Sequence, residues 1–208
     1  MKYGYIIYDW NGTLLDDTAL CHTMLNEILE RYSLPYVSLE RYREIFTFPI
    51  RTYYERAGLD FDKCSYEELA DRYVEDYMNR YRVSSLATGA LEVLRSVKVP
   101  QFIISATKQS MLDEQIDHYG IRDYFVSVRG LTDHYADGKV GLARECTREL
   151  VGKGLWIGDT THDMEVATAC GCDCILLEGG HQCREVLLSS GAEVMRDFGE
   201  LGQYLKEI

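Results

Sequence analysis

A chain of 208 residues, 46% hydrophobic and 27% charged, has the composition of a soluble globular protein, long enough for one ordinary domain plus a small inserted one. Its formal net charge of −12 argues against nucleic acid, whose backbone is held by clustered lysine and arginine, yet leaves room for a small phosphorylated partner needing only a few local cations. No apolar run nears the roughly 20 residues that cross a bilayer, and the apolar opening Met1–Tyr8 is too short for a signal peptide, so the expected setting is cytoplasmic, with no membrane partner.

The first expected strand, Tyr3 to Tyr8, ends on Asp9. After Gly12 the period becomes helical: Leu20, Met24, Leu25, Ile28, Leu29 and Tyr32 share a face, and Pro35 follows its end. Ser65 with Glu68 is a capping-box signature, behind which Leu69, Tyr73, Tyr77 and Tyr81 recur every four residues on a helix ending near Arg82. Residues 17 to 84 therefore read as all-helical, and nine of the 16 tyrosines fall there, an aromatic face that must pack on something.

From Thr88 onward, strands alternate with helices. Strand-like runs are Gln101 to Ser105, Tyr124 to Arg129, Leu155 to Gly158, Cys174 to Leu177 and Ala192 to Met195. Ser110 to Tyr119 is helical, with Gly120 as its stop. This alternation predicts an α/β fold with a parallel sheet covered on both faces, whose ligands bind beyond the carboxyl ends of the strands. That rule sets Asp9, Ser105 and Asp159 on one rim. Seven cysteines, an odd count, fit reduced thiols; Cys170, Cys172 and Cys174 read as small packed side chains at a helix end and in the next strand.

Asp9 opens Asp9-Trp10-Asn11-Gly12-Thr13-Leu14. A carboxylate there can attack an electrophile, and Gly12 permits a tight turn whose N–H groups can face an anion; an Asx turn that merely closes the loop is the competing reading. Gly158-Asp159-Thr160-Thr161-His162-Asp163 ends a strand and opens a helix. Its two carboxylates can converge on a hard cation such as magnesium, or simply cap the helix. Ser105 offers a hydroxyl, and Lys139, in Asp137-Gly138-Lys139, could neutralise a phosphoryl oxygen, against ordinary roles as a loop cap and a solvated lysine. The set is stronger than its members. No Gly-x-Gly-x-x-Gly follows the first strand, which argues against a nicotinamide site.

Asp9 to Asp16, Ser105 in Ile103-Ile104-Ser105-Ala106-Thr107-Lys108, Lys139, and Gly158-Asp159 with Asp163 occur in the order of four motifs. In this the chain resembles the haloacid dehalogenase superfamily, in its helical-cap, phosphoglycolate-phosphatase-like branch. The resemblance implies a Rossmann-like core of residues 1–16 and 85–208, with an all-helical cap of residues 17–84. It implies that Asp9 attacks phosphorus to form an aspartyl phosphate. Magnesium would sit on Asp9, the Asn11 carbonyl and Asp159, with Asp163 in support. Ser105 and Lys139, with Gly12 and Ala106 beside them, would hold the phosphoryl group, and Arg43, Arg51 and the Phe46-Thr47-Phe48-Pro49 turn would lie at a substrate-choosing loop.

One position departs. Phosphatases of the family usually carry aspartate two residues after the nucleophile, where it protonates the leaving oxygen and then activates water. Here Asn11 stands there, and general acid–base help worth roughly a hundred- to ten-thousandfold is absent from it. Three routes round the gap exist: an acidic leaving group, which is preferred; another acid among His22, His162 and His181, each of which reads first as a surface residue; or partial deamidation at Asn11-Gly12. Two other functions stay open, a non-catalytic phosphate-ester-binding module and a dehalogenase. The Asp159 and Asp163 pair counts against the second, because family dehalogenases work without a metal.

Overall fold

The computed structural model describes residues 2–132 and 138–207; Asp137, named above with Lys139, lies outside them. The elements run β1 (Tyr5–Tyr8), β2 (Leu15–Asp16), α1 (Thr18–Arg31), α2 (Leu39–Ile45), α3 (Ile50–Arg56), α4 (Tyr66–Arg80), β3 (Ser85–Leu86), α5 (Ala90–Ser96), β4 (Gln101–Lys108), α6 (Gln109–Tyr119), β5 (Ser127–Leu131), α7 (Gly138–Thr147), β6 (Gly154–Gly158), α8 (Thr161–Ala169), β7 (Asp173–Leu177), α9 (Arg184–Ser189), β8 (Glu193–Met195) and α10 (Phe198–Glu207).

Six strands form one sheet in the order β5-β4-β1-β6-β7-β8, and every pairing is parallel. The expected α/β class holds. β1 lies between β4 and β6 and is buried on both faces, which is why it is written as an unbroken apolar run. Ile6 and Tyr8 point into one core with Ile103, Leu155, Ile157 and residues of α5, α6 and α10. Tyr5 and Ile7 point the other way, against Phe102, Ile104, Trp156, α7 and α8. Chain order turns at β1, with β4 and β5 on one side and β6 to β8 on the other. Such a switch point opens a crevice at the strands' carboxyl ends.

The strands lie within a few residues of their expected places. β4 is longer than read: it runs past Ser105 to Lys108, with a register shift against β5 between Ile104 and Lys108. A bulge re-aims side chains where it interrupts a ladder, and here it falls on the Ser105 segment.

Between β1 and α5 the chain makes a short antiparallel ribbon, Leu15 opposite Leu86 and Asp16 opposite Ser85, and α1 to α4 are spun out between its two strands. These helices hold a separate apolar cluster. Leu20, Met24, Leu25, Ile28 and Leu29 of α1 meet Tyr42, Tyr53, Tyr54, Leu69 and Tyr77, whereas Tyr32, placed on that face by its spacing, is 45% exposed. Ser65 caps α4 by accepting the Glu68 N–H at 3.2 Å. Among the described residues no helix is long and apolar enough to cross a membrane, and the seven cysteines are all free.

Candidate active site

β1, β4 and β6 lie side by side, so the residues leaving their carboxyl ends meet. Asp9 follows β1 and Asp159 follows β6, while Asp163 stands one helical turn into α8. One carboxylate oxygen from each of the three lies within 4.8 Å of the others. Lys139, on the first turn of α7 and 4% exposed, reaches Asp9 Oδ2 at 2.7 Å and Asp163 Oδ1 at 2.6 Å. Burial, with the charges of Asp163 and Asp159, pushes Asp9 up to about 7 in spite of Lys139. Burial and Asp163 likewise lift Asp159 to about 6, against the pull of His181. Of the three clustered carboxylates, only Asp9 and Asp163 share the Lys139 ammonium. The local field lacks positive charge.

The donor chemistry fits a hard divalent ion, because every candidate ligand is oxygen. The two groups that remain short of positive charge are Asp9 and Asp159. Asp163 differs from them. Its Oδ2 accepts the Thr160 N–H at 3.1 Å, the Thr160 hydroxyl at 2.7 Å and the Asp159 N–H at 3.3 Å; its Oδ1 accepts Trp156 Nε1 at 3.2 Å and Lys139. Burial would raise Asp163, but Lys139 and these donors hold it below the usual carboxylate range. Its side chain is spent on capping α8 and aiming Lys139, so capping and support coincide in one residue.

Asn11 is more confined than its sequence context suggests. Its Nδ2 donates to Asp17 Oδ2 at 2.7 Å and to the Tyr77 hydroxyl at 2.7 Å, and its Oδ1 accepts from the Thr107 hydroxyl at 2.8 Å. Both amide hydrogens are used. Gly12 also departs from expectation. Its N–H does not face an open anion site but donates to Asp17 Oδ1 at 2.9 Å. Glycine is required there for another reason: φ is +71°, and a Cβ would collide with the Asp159 carboxylate and the His181 ring. Ser105 is buried, its Oγ accepting the Thr107 N–H at 3.1 Å across the bulge. Ala106 lines the same cavity as Asp9, Asn11, Ser105 and Lys139.

Arg51 does not join them. It is exposed on α3, paired with Glu55 at 3.1 Å and laid over the Phe61 ring. Arg43 turns from the cavity too, donating to the Gly179 and Gly180 carbonyls at 2.7 and 3.0 Å.

Two residues at the centre went unread as site residues or were misplaced. Asp17, at the start of α1, is fully buried and collects Gly12 N–H, Asn11 Nδ2, the Tyr77 hydroxyl at 2.6 Å and the His181 ring at 3.4 Å. An aspartate before a helix reads as a cap, and nothing local in the sequence contradicts that. His181, expected at the surface, is 5% exposed. It lies between Asp17 and the Tyr42 ring, with Nδ1 2.8 Å from that hydroxyl, and its backbone N–H donates to Asp159 Oδ2 at 2.8 Å. Burial would lower His181, but its hydrogen bond to Asp17 and the carboxylates around it raise it to about 9. A signal did exist: Gly179-Gly180-His181 follows the carboxyl end of β7, the rim rule that found Asp9 and Asp159. His22 and His162 are engaged elsewhere, with the Val37 carbonyl and with Glu165.

Residues 6–177 match the model of a family described as haloacid dehalogenase-like hydrolase. The chain is 26% identical over 210 residues to a phosphoglycolate phosphatase of Rhodobacter capsulatus, covering 94% of each. It is 22% identical over 193 residues to a phosphoglycolate phosphatase of Synechococcus elongatus, covering 89% of this chain and 88% of that one. A crystal structure described as a predicted phosphatase from Clostridium acetobutylicum superposes with a TM-score of 0.79 at 20% identity over 100% of both chains, a likeness that speaks for the fold. With its sheet order, its rim of carboxylates and a family match running from β1 to the end of β7, the chain belongs to the haloacid dehalogenase-like hydrolases.

Proposed function

We propose that the protein hydrolyses a small phosphate monoester through an aspartyl phosphate on Asp9, with residues 17–84 as a helical cap over a core of residues 1–16 and 85–208, in a cytoplasmic setting. The observation that carries this reading is the convergence of Asp9, Asp159 and Asp163 at the sheet's switch point, with Lys139 paired to Asp9 and Asp163. Asp9, the Asn11 carbonyl and Asp159 would hold magnesium, with Asp163 in support. When bound, that ion supplies the positive charge which lets a carboxylate meet an anionic ester.

The residues of the chain do the rest. Lys139, kept charged by Asp163 and Asp9 although burial opposes it, holds the Asp9 carboxylate in place and faces the transferring oxygens. Ser105 and Ala106 bound the phosphoryl pocket beside it. An Asp9 oxygen attacks phosphorus, the bond to the leaving oxygen breaks, and water then cleaves the acyl phosphate to return Asp9 and release phosphate. Asn11 can neither give nor take a proton in either half, so turnover is slow. The same feature favours a second reading, a module that binds phosphate esters without releasing phosphate.

Phosphate release from a panel of esters, followed with and without magnesium, tests the proposal. Native protein is expected to be magnesium-dependent and to gain the mass of one phosphoryl group, and Asp9→Asn to lose both properties. Binding with no phosphoryl transfer would establish the module instead; transfer that survives Asp9→Asn would overturn the site.

A further inference from the structure

The cavity that holds Asp9, Asn11, Ser105 and Lys139 has a volume of about 320 Å³ and continues upward among the helices. There its wall is aromatic: Phe46, Phe48, Tyr53, Tyr54, Tyr73 and Tyr77 face it. Phe46 lies against Tyr53 with centroids 5.0 Å apart, and Tyr73 stacks on Tyr77 at 6.1 Å and 16°. Among the described residues, no lysine or arginine from positions 17–84 lines it. The basic lining residues are Lys108, Lys139 and His181, and the last two are already paired with carboxylates. A leaving group bearing a carboxylate or further phosphates would find little to neutralise it. A flat apolar ring would find offset and edge-on partners on several sides.

A second observation comes from the floor of the cavity. Both Asn11 amide hydrogens are committed, and this side chain has no proton to give; the His181 ring, the other candidate acid, is turned to Asp17 and the Tyr42 hydroxyl. An aliphatic alkoxide, whose acid ionises near that of water at about 16, needs such a proton to depart; a phenolate, whose acid ionises near 10, does not. Wall and floor select the same chemistry. We infer that the preferred substrate is an aryl phosphate, whose ring fills the aromatic chamber and whose phenolate leaves without general acid catalysis. This rests on the phosphatase reading above. In the first step the Asp9 oxygen bonds to phosphorus and the P–O(aryl) bond breaks, its electron pair going to the phenolate, which is protonated by solvent after departure. In the second, a water oxygen bonds to phosphorus, the P–O(Asp9) bond breaks, and the water's proton passes to solvent. That step also lacks a base, so the phosphoenzyme accumulates.

Three probe esters separate shape from leaving-group acidity: phenyl, cyclohexyl and methyl phosphate, each assayed with magnesium on the full chain. Phenyl phosphate should give a burst of about one phenol per chain followed by slow turnover, and a kcat/KM about a hundredfold above cyclohexyl phosphate, the lower end of what an acid contributes. Cyclohexyl should exceed methyl phosphate about tenfold, from ring burial alone. Phe48→Ala, in a partly exposed wall residue that folding should tolerate, should cut kcat/KM for phenyl phosphate several-fold through KM. Equal efficiencies for phenyl and methyl phosphate would overturn the aryl assignment and leave a phosphatase standing. No phosphoryl transfer from any ester to Asp9 would overturn the phosphatase reading itself.

Discussion

Asn11 shows how one atom's exchange reaches into catalysis and stability together. An aspartate at position 11 would set a second carboxylate 2.7 Å from Asp17, where the amide now donates. Two carboxylates that close cannot both ionise, so one proton would be held between them, available to a leaving alkoxide. Asn11→Asp is therefore expected to raise kcat/KM for cyclohexyl phosphate about a hundredfold while changing kcat/KM for phenyl phosphate little. It should also lower stability by roughly 1–3 kcal/mol, through the lost amide donors. Steady-state rates and urea midpoints on the same preparation check both halves. A gain equal on the two esters would mean that the acid was never what the site lacked.

At the scale of elements, the loop after β7 is bound to α1 and α2 by charge. Arg43 fastens the Gly179 and Gly180 carbonyls, Gln182 reaches the Phe46 carbonyl at 2.8 Å, and His181 enters the Asp17 network. Because His181 is raised from its ordinary 6.5 to about 9, its charged form is stabilised by folding. The sign follows: the contribution is complete below about pH 6.5 and is lost as pH rises through about 9. Asp17 is held below the ordinary 3.8, its own burial outweighed by His181, Tyr77 and Asn11, so the acidic end of that plateau lies lower still. Urea midpoints of metal-free protein should fall between pH 6.5 and 9.5, and His181→Gln should flatten that limb. An unchanged slope in the variant would show that the imidazole carries no charge in the fold.

Over the whole molecule, the feature with most consequence is a net charge of −12 with three carboxylates clustered at the heart of the rim. If magnesium is held by Asp9 and Asp159 as proposed, it would relieve that repulsion in the folded state alone. At a hundredfold excess over its Kd it should add about 2.7 kcal/mol of stability by mass action, read as a rise in Tm. Asp159→Asn should abolish the rise, and sodium chloride at an ionic strength equal to that of the magnesium salt should not reproduce it. A rise that persists in Asp159→Asn would place the ion elsewhere.

Much of this was legible before any coordinates. Period and punctuation identified the strands that alternate with helices, and the carboxyl-end rule gathered Asp9, Ser105 and Asp159, because backbone geometry and chain connectivity are local matters that a one-dimensional pattern records. Asp17, His181, Tyr77 and Thr107 belong to the second kind of knowledge. Each is ordinary in its own neighbourhood: a helix cap, a histidine in a glycine-rich loop, one tyrosine of a repeating row, a strand threonine. Only packing α1 and α4 over the rim brings Asp17 and Tyr77, with Thr107 of β4, within hydrogen-bonding distance of Asn11 and sets His181 against Asp17, and the same packing sends Arg51 to solvent. Side-chain direction across 60 to 164 residues of intervening chain depends on how layers settle on one another, and no local period encodes that.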